Sequence, residues 1–137
     1  MEPEPTRQRS LALILARQFA LKLATPIFVA DAEGRLVFYN ESAEEILGRP
    51  YSEAGEMSAA EWGKLFAMED LEGRPLSAER MPAGIALFER RPAHGLVRIV
   101  GLDGTRRELA VTAIPLLVGG EELVGMMAVF WEQEPGR

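Results

Sequence analysis

The chain has 137 residues, 47% of them hydrophobic and 26% charged, which fits a single globular domain and excludes wholesale disorder. It has no cysteine and one histidine, His94, which excludes disulfides, thiolate metal sites and metal centres built from several imidazoles. Its formal net charge of −6 argues against a surface for duplex nucleic acid, because phosphate binding depends on clustered Lys and Arg.

The N-terminal segment is predicted to be a short tail followed by a helix. Residues 1–6 are polar and include two prolines, so we expect them to be disordered. Residues 7–24 contain neither Gly nor Pro and are rich in Leu, Ala, Gln and Arg, which favours an amphipathic helix. The apolar run before Arg17 is far shorter than the ~20 residues of a membrane span, so we predict a cytoplasmic protein without a membrane partner.

The predicted helix has two apolar surfaces, and each has its own expected contact. One is a broad face that we expect to dock on the chain's own sheet; it includes Leu15, Phe19 and Leu23. The other has the spacing of a short coiled-coil seam and is predicted to contact a second copy of the chain; it consists of Leu11, Ile14, Gln18 and Leu21. The alternative is that one wide face is buried in a single core.

A hairpin and a helix are predicted next. Two β-prone runs, residues 27–30 and 36–39, flank a turn that contains Gly34, a residue that tolerates positive φ. Asn40 follows the second run and is expected to cap a helix over residues 41–47, whose first turn is acidic.

Two further short helices are predicted in the middle of the chain. Ser58-Ala-Ala-Glu61 matches a capping box, in which the Ser and Glu side chains each bond the other's backbone N–H. Pro82 suits the first turn of another helix, which runs to about Glu89. Residues 70–75, between these helices, are predicted to be a loop.

The last third of the chain is predicted to be three strands, at residues 93–101, 105–115 and 123–131. Asp103 and Gly104 are the strongest short hairpin signal and are placed as the two turn residues. With that turn, one face of the hairpin carries Leu96, Arg98, Val100, Leu109 and Val111. The other face carries Val97, Ile99, Glu108 and Ala110. Both faces are partly apolar, so we expect the small helices to cover one and the N-terminal helix the other, in an α+β fold.

Three stretches of the sequence, in this order, resemble the PAS domain family. They are Ile27-Phe-Val-Ala-Asp-Ala-Glu-Gly-Arg-Leu-Val-Phe-Tyr-Asn40 with Ser42-Ala-Glu-Glu-Ile-Leu-Gly48, then Asp70-Leu-Glu-Gly-Arg-Pro-Leu76, then Gly101-Leu-Asp-Gly-Thr-Arg-Arg107 with Leu109-Ala-Val-Thr-Ala-Ile-Pro115. The resemblance covers residues 25–132 and leaves 133–137 as a tail. It implies a PAS fold: a five-stranded antiparallel sheet in the order 2-1-5-4-3, small helices on one face, and an N-terminal helix on the other that mediates dimers.

The same resemblance indicates what the chain lacks. Many PAS domains end in an Asp-x-Thr motif, which is absent from Phe130–Arg137, and no effector module is encoded in this sequence. We expect a stand-alone protein, and the alternative is a piece of a longer one. Light-sensing flavin members need a reactive Cys, and haem-binding members take an axial His from the helix at residues 83–89; this sequence has neither. We therefore predict no haem, no flavin of the Cys type and no metal.

A small apolar ligand remains an alternative, held in a pocket between the sheet and the small helices. The candidate lining residues are Trp62, Phe66, Leu87, Phe88 and His94. Core packing is the competing interpretation of the aromatic residues, since such side chains on short helices usually fill a core. For His94 the competing interpretation is a hydrogen-bonded or half-exposed strand residue.

No catalytic group is predicted, so the chain is not expected to be an enzyme. Glu41, Glu44 and Glu45 form an acidic helix start that the helix dipole favours, and Ser42 and Ser58 have no base at recognisable spacing. The predicted function is a signalling or regulatory module that acts through protein–protein association, as a homodimer and with an unidentified signalling protein. The alternatives are a small-molecule sensor and a small α+β enzyme.

Replacing Gly104 with Val tests the position of the late turn. A β-branched residue resists positive φ, so the variant should lose stability by about 1 kcal/mol or more. Thermal unfolding followed by circular dichroism measures the loss. An unchanged melting temperature would show that the turn lies elsewhere.

Overall fold

Five strands form one antiparallel sheet in the structure, a computed structural model that describes residues 4–21, 24–65, 68–77, 80–100 and 104–133. The strands are β1 (Ile27–Asp31), β2 (Leu36–Tyr39), β3 (Ala93–Val100), β4 (Arg106–Val118) and β5 (Glu122–Glu132). Their order in the sheet is β2-β1-β5-β4-β3, and every neighbouring pair is antiparallel. The predicted fold class and sheet order are confirmed.

The described residues contain five helices: α1 (Glu4–Leu21), α2 (Glu41–Leu47), α3 (Tyr51–Ala54), α4 (Ala59–Leu65) and α5 (Pro82–Glu89). Helix α1 begins at Glu4, inside the segment predicted to be a tail. Pro5 lies in its first turn, where the backbone N–H groups have no partner within the helix, so a proline that lacks this N–H costs no hydrogen bond. The single-turn helix α3 has no counterpart in the sequence prediction. None of the described helices combines the length and the apolar composition needed to cross a bilayer.

Asn40 fixes the junction between the first hairpin and α2. It is buried, and its Oδ1 accepts hydrogen bonds from the backbone N–H of Ile27 at 3.0 Å and of Ala43 at 3.1 Å. Its Nδ2 donates to the carbonyl of Thr25 at 2.8 Å. The bond to Ala43 confirms the predicted cap of α2, and Gly48 ends that helix with a φ of +85°.

The capping box of α4 and the start of α5 are confirmed as well. Ser58 Oγ accepts from the backbone N–H of Glu61 at 3.2 Å, and Glu61 Oε1 accepts from the backbone N–H of Ser58 at 3.1 Å. The backbone N–H of Ser58, and after it the Ser58 hydroxyl, bonds the carboxylate and holds the pKa of Glu61 below its ordinary value. Helix α5 begins with Pro82, as its fixed φ favours.

Each face of the sheet carries its own apolar cluster. Between the sheet and the small helices, the buried side chains include Phe28, Leu36, Tyr39, Val97, Leu109 and Phe130. On the opposite face, α1 packs on a smaller cluster that contains Ile27, Val29 and Phe38. Strand β1 is therefore buried on both sides, because successive side chains of a strand point to opposite faces.

Both edge strands are bonded at one point by the segment that connects α3 to α5. Leu36 of β2 exchanges backbone hydrogen bonds with Met57 at 2.7 and 3.3 Å. Arg98 of β3 exchanges them with Glu69 at 2.8 and 2.9 Å. These two bridges occupy backbone groups that an open sheet edge would leave unpaired.

The register of the late hairpin differs from the predicted register by one residue. Val97 pairs with Leu109, and Arg98 pairs with Glu108. The connection between β3 and β4 is therefore the five residues 101–105, and not a two-residue turn. When the register shifts by one residue, the side chains of one strand move to the opposite face of the sheet relative to those of its partner strand. The predicted face assignment is therefore wrong: the buried Val97 and Ile99 share a face with Leu109, whereas Arg98 shares the opposite face with Glu108.

Gly104 has a φ of +84°, which agrees with the predicted need for a left-handed residue near this turn. Asp103 lies outside the described residues. Glycine is needed here for its backbone conformation, although the connection is longer than the predicted one.

Gly125 on β5 is required for a different reason, which is close approach. A Cβ at this position would overlap the carbonyl oxygen of Ala30 on β1 and lie 3.1 Å from Cδ2 of Leu13 on α1. A larger residue would force β1 and α1 away from β5. The glycine therefore permits both the β1–β5 pairing and the close packing of α1.

Replacing Gly125 with Ala should lower the free energy of unfolding by about 1–3 kcal/mol, because the neighbour that must move is backbone. The matched control is Gly63→Ala in α4, where an added Cβ meets nothing within 4 Å. That control should gain about 0.5–1 kcal/mol from the helix propensity of Ala. Denaturant unfolding of both variants measures the difference, and a Gly125→Ala protein as stable as the control would contradict this account.

Candidate functional site

Helix α1 docks on the sheet through a narrow face. Ala16 is buried against Ile27, Val29 and Phe38, and Leu13 packs beside it. The guanidinium of Arg17 lies 4.9 Å from the centre of the Phe38 ring, a cation–π contact. The small Ala16 side chain lets the helix backbone come close to the strands.

The prediction that Leu15 and Phe19 dock on the sheet is wrong. Their exposed fractions are 58% and 53%, so both side chains point away from the strands. The helical wheel could not distinguish the two sides of the broad apolar face, and the structure uses the side that carries Ala16. Leu23, predicted to dock with them, lies outside the described residues.

The side of α1 that faces away from the sheet carries an unusual amount of apolar surface. We call it the outer helix face; it consists of Leu11, Ile14, Leu15, Gln18 and Phe19, all of them exposed. Three of these residues, Leu11, Ile14 and Gln18, belong to the seam predicted from the sequence, and the side chain of Leu21 is not among those described. Contact of this face with a second copy stays a prediction.

On the other side of the sheet, a small cavity of about 50 Å³ lies between the strands and helices α4 and α5. We call it the inner cavity; every residue that lines it carries an apolar side chain, Phe28, Met68, Val97 and Phe130 among them. Trp62 lines it as predicted, with its indole N–H donating to the carbonyl of Gly34 at 2.8 Å. Its ring meets that of Phe28 edge-on, with 5.2 Å between the ring centres.

Leu87 and Phe88 line a different space, not the inner cavity. They lie in a groove of about 310 Å³ between the β1–β2 turn, α4 and α5, which we call the outer groove. Phe88 is 64% exposed at its rim. Phe66 lies outside the described residues, so its predicted place in the pocket is not described.

His94 does not line the inner cavity, and its placement in the predicted pocket is wrong. On β3 it alternates with Gly95, whose position faces Pro82 of α5, so His94 points to the opposite face of the sheet. There its Nδ1 lies 2.8 Å from Oγ1 of Thr112, and its ring centre lies 6.3 Å from that of Trp131. The competing interpretation, an exposed and hydrogen-bonded strand residue, describes what the structure shows.

The acidic residues predicted at a helix start lie at the beginning of α2. Glu41 and Glu44 lie in the first turn of α2, where the helix dipole favours them. Across the described residues, no group of three or more His, Asp or Glu side chains comes together in a way that could hold a metal ion.

An aromatic cluster connects the docked face of α1 to the small helices. The Tyr51 ring lies edge-on to Phe38 at 5.4 Å and to Tyr39 at 5.3 Å between ring centres. The Tyr51 hydroxyl donates to the carbonyl of Val37, and the Tyr39 hydroxyl donates to that of Arg49, both at 2.6 Å. Burial raises the pKa of both phenols, that of Tyr39 to about 12.

Comparison with known proteins agrees with this geometry. Residues 15–61 match the family model of the PAS fold. The PAS domain of Bordetella pertussis BvgS is 20% identical, with a TM-score of 0.60 over 90% of this chain and 87% of that chain. The PAS domain of nitrogen regulation protein NR(II) from Vibrio parahaemolyticus is 16% identical, with a TM-score of 0.62 over 87% and 98%. The LOV protein of Rhodobacter sphaeroides is 12% identical, with a TM-score of 0.70 over 93% and 69%.

Comparison with curated protein sequences gives no match. The likenesses above extend over most of the chain at low sequence identity, so they establish its fold. The resemblance to the PAS family that the sequence motifs predicted is therefore confirmed for the fold.

The raised pKa of Tyr39 predicts how the protein responds to alkali. An unfolded Tyr39 ionises near pH 10.0, whereas the folded one stays neutral up to about pH 12. This contribution to stability is fully present below pH 10 and is lost as the pH rises towards 12. We expect the ultraviolet absorbance of tyrosinate to appear together with the loss of far-ultraviolet circular dichroism. Ionisation of both tyrosines near pH 10 in a folded protein would contradict the burial described here.

Proposed function

We propose that this chain, which has the PAS fold, is a signalling module that acts through protein–protein association and pairs with a second copy through the outer helix face. The observation that carries the proposal is the exposure of four large apolar side chains on that face: Leu11 55%, Ile14 55%, Leu15 58% and Phe19 53%. Contiguous apolar surface of this kind on a soluble protein usually marks an interaction site.

The way α1 is docked supports this proposal. Arg17 and Ala16 hold the opposite side of the helix on Phe38 and its neighbours, and Leu13 packs against Gly125 of β5. The apolar side chains are therefore presented on a helix that is already packed against the sheet. Less conformational entropy is lost on association when the binding surface is ordered beforehand.

A two-fold arrangement of two α1 helices suits the residues of the outer helix face. In such an interface the same patch of each copy contacts its counterpart. Gln18 lies among the apolar residues, where its amide can bond the Gln18 amide of the other copy and set the register of the pair. Leucine and isoleucine around it supply the apolar contact area.

A role in signalling is supported by the PAS fold of this chain and by the kinds of protein in which the same fold occurs. One of the similar structures is a domain of a nitrogen regulation protein, and another is a LOV protein. We place this chain in the same general class, as a regulatory module whose further partner is a signalling protein. No catalytic role is proposed for it.

Replacing Ile14 and Leu15 together with Glu tests the interface. Like charges on the outer helix face should weaken association by at least about tenfold for each residue and give a folded monomer. The matched control is Leu71→Glu with Phe88→Glu, which makes the same charge change at exposed apolar residues of other elements. Sedimentation velocity measures association, and circular dichroism confirms folding.

The control protein should stay dimeric. A double variant of α1 that remains dimeric would overturn the proposed interface. A wild-type chain that sediments as a monomer at every concentration would overturn the homodimer itself.

A second candidate function is a sensor of a small apolar ligand, and the inner cavity favours it. The cavity is walled by apolar side chains, and every buried side-chain nitrogen or oxygen in the described part of the chain already has a hydrogen-bond partner. A ligand there would find no polar group waiting for it. Such a site selects small, uncharged, apolar molecules, because a polar ligand would lose its own hydrogen bonds to water.

A further inference from the structure

Helix α1 covers only part of the sheet face on which it lies. It packs over β1 and over Met127 and Val129 of β5. The same face continues onto β3 and β4. On these strands the buried Val97 and Leu109 point to the small helices, so the alternate residues point to the α1 side. Among the residues that the structure describes, three large apolar side chains on this uncovered part are 37% to 45% exposed, namely Leu96, Ile114 and Trp131.

These side chains form one surface beside the docked helix. We call it the sheet patch; it consists of Leu96, Ile114 and Trp131, with His94 and Thr112 between them. Leu96 and Trp131 lie in one row across the sheet, on either side of Ala110. Ile114 pairs with Met127, which packs against the cluster beneath α1. The sheet patch therefore begins where the area covered by α1 ends.

The outer helix face is wider than a contact between two helices uses. At 3.6 residues per turn, its residues span about 140° of the helix circumference from Ile14 to Phe19. A coiled-coil seam is narrower, because only its a and d positions are apolar. One flank of the outer helix face can therefore pair with a second α1 while the remainder contacts another apolar surface.

The contact area leads to the same conclusion. Half-exposed side chains of this size offer on the order of 100 Å² each, so the four apolar residues of the outer helix face provide about 400 Å². Each partner of a stable complex buries about 800 Å². Pairing of the two α1 helices alone falls short of this area, and the three apolar residues of the sheet patch add about 300 Å² on the same side of the molecule.

We propose that, in the homodimer, α1 of each copy lies on the sheet patch of the other copy. The inference rests on the proposed pairing through the outer helix face and assigns the surface that each helix contacts. Helix α1 is about 10 Å thick and covers one part of the sheet face, so the sheet patch forms a step beside it. Two such stepped faces fit together about a two-fold axis, with the two helices side by side between the two sheets.

Cysteine cross-linking distinguishes this arrangement from a contact between the two helices alone. The sequence has no cysteine, so each variant carries a single thiol. Leu15→Cys protein is mixed with Leu96→Cys protein and, separately, with Ile114→Cys protein, and each mixture is oxidised mildly. A disulfide requires Cα atoms within about 7 Å, so a mixed disulfide should be the main product in at least one mixture. The matched control is Leu71→Cys, an exposed apolar position on another element, which should not link to Leu15→Cys.

Replacing Trp131 with Ala measures what the sheet patch contributes to association. A tryptophan buried at the centre of an interface is a typical hot spot, so the dissociation constant of the dimer should rise by about thirtyfold. The matched control is Phe88→Ala, which removes an exposed aromatic ring from α5 and should leave the dissociation constant unchanged. Sedimentation velocity measures association, and circular dichroism confirms that both variants fold.

Tryptophan fluorescence supplies a readout that a loss of stability would not imitate. On dilution of the wild-type dimer, Trp131 should become accessible to acrylamide, whereas the buried Trp62 stays shielded. Trp131→Phe should abolish this change in quenching while leaving the emission of Trp62 in place.

The results separate this inference from the proposed function. A wild-type chain that is monomeric at every concentration overturns the pairing and the inference together. A dimer in which Leu15→Cys links mainly to itself, or one that Trp131→Ala leaves as tight as the wild type, overturns the role of the sheet patch and leaves the homodimer standing. If Trp131→Ala does not fold, the cross-linking result decides by itself.

Discussion

The buried amide of Asn40 is the interaction on which the rest of the structure depends. Its side chain accepts hydrogen bonds from the backbone N–H of Ile27, the first residue of β1, and of Ala43 in α2, and donates one to the carbonyl of Thr25, which lies between α1 and β1 in the chain. Leaving a buried amide or a helix terminus unpaired costs far more than a surface contact gains. Asn40 thus ties the segment before β1, the start of β1 and the start of α2 to one another.

The outer helix face and the inner cavity lie on opposite sides of the same strands. Phe28 of β1 lines the cavity, and its neighbours Ile27 and Val29 lie under α1. A sheet packed on both faces transmits a displacement from one cluster to the other, because close-packed interiors leave few voids to absorb it. The proposed ligand in the cavity and the proposed partner on α1 would therefore act on the two sides of one packed sheet.

The sequence predicted correctly the contacts between residues close in the chain, such as helix caps. It did not predict which side of a helix docks on the sheet or how two strands are paired. Asn40, the Ser58–Glu61 pair and Pro82 act through bonds within a few residues, so their motifs predicted helix starts correctly. The sheet order followed from a resemblance carried by several motifs. Which side of α1 docks depends on the fit of Ala16 over the strands, and the pairing of β3 with β4 depends on the length of one turn. Neither is encoded by periodicity, because both faces of each element are partly apolar.

The two bridges at the sheet edges restrict how copies of the chain can assemble. Met57 and Glu69 occupy backbone groups of β2 and β3 that an incoming strand would need. Extension of the sheet from one molecule to the next, the geometry of fibrils, would first require displacing these segments. Edge-to-edge growth of the sheet is disfavoured for this reason, so these two short segments protect the chain against strand addition at both ends of the sheet.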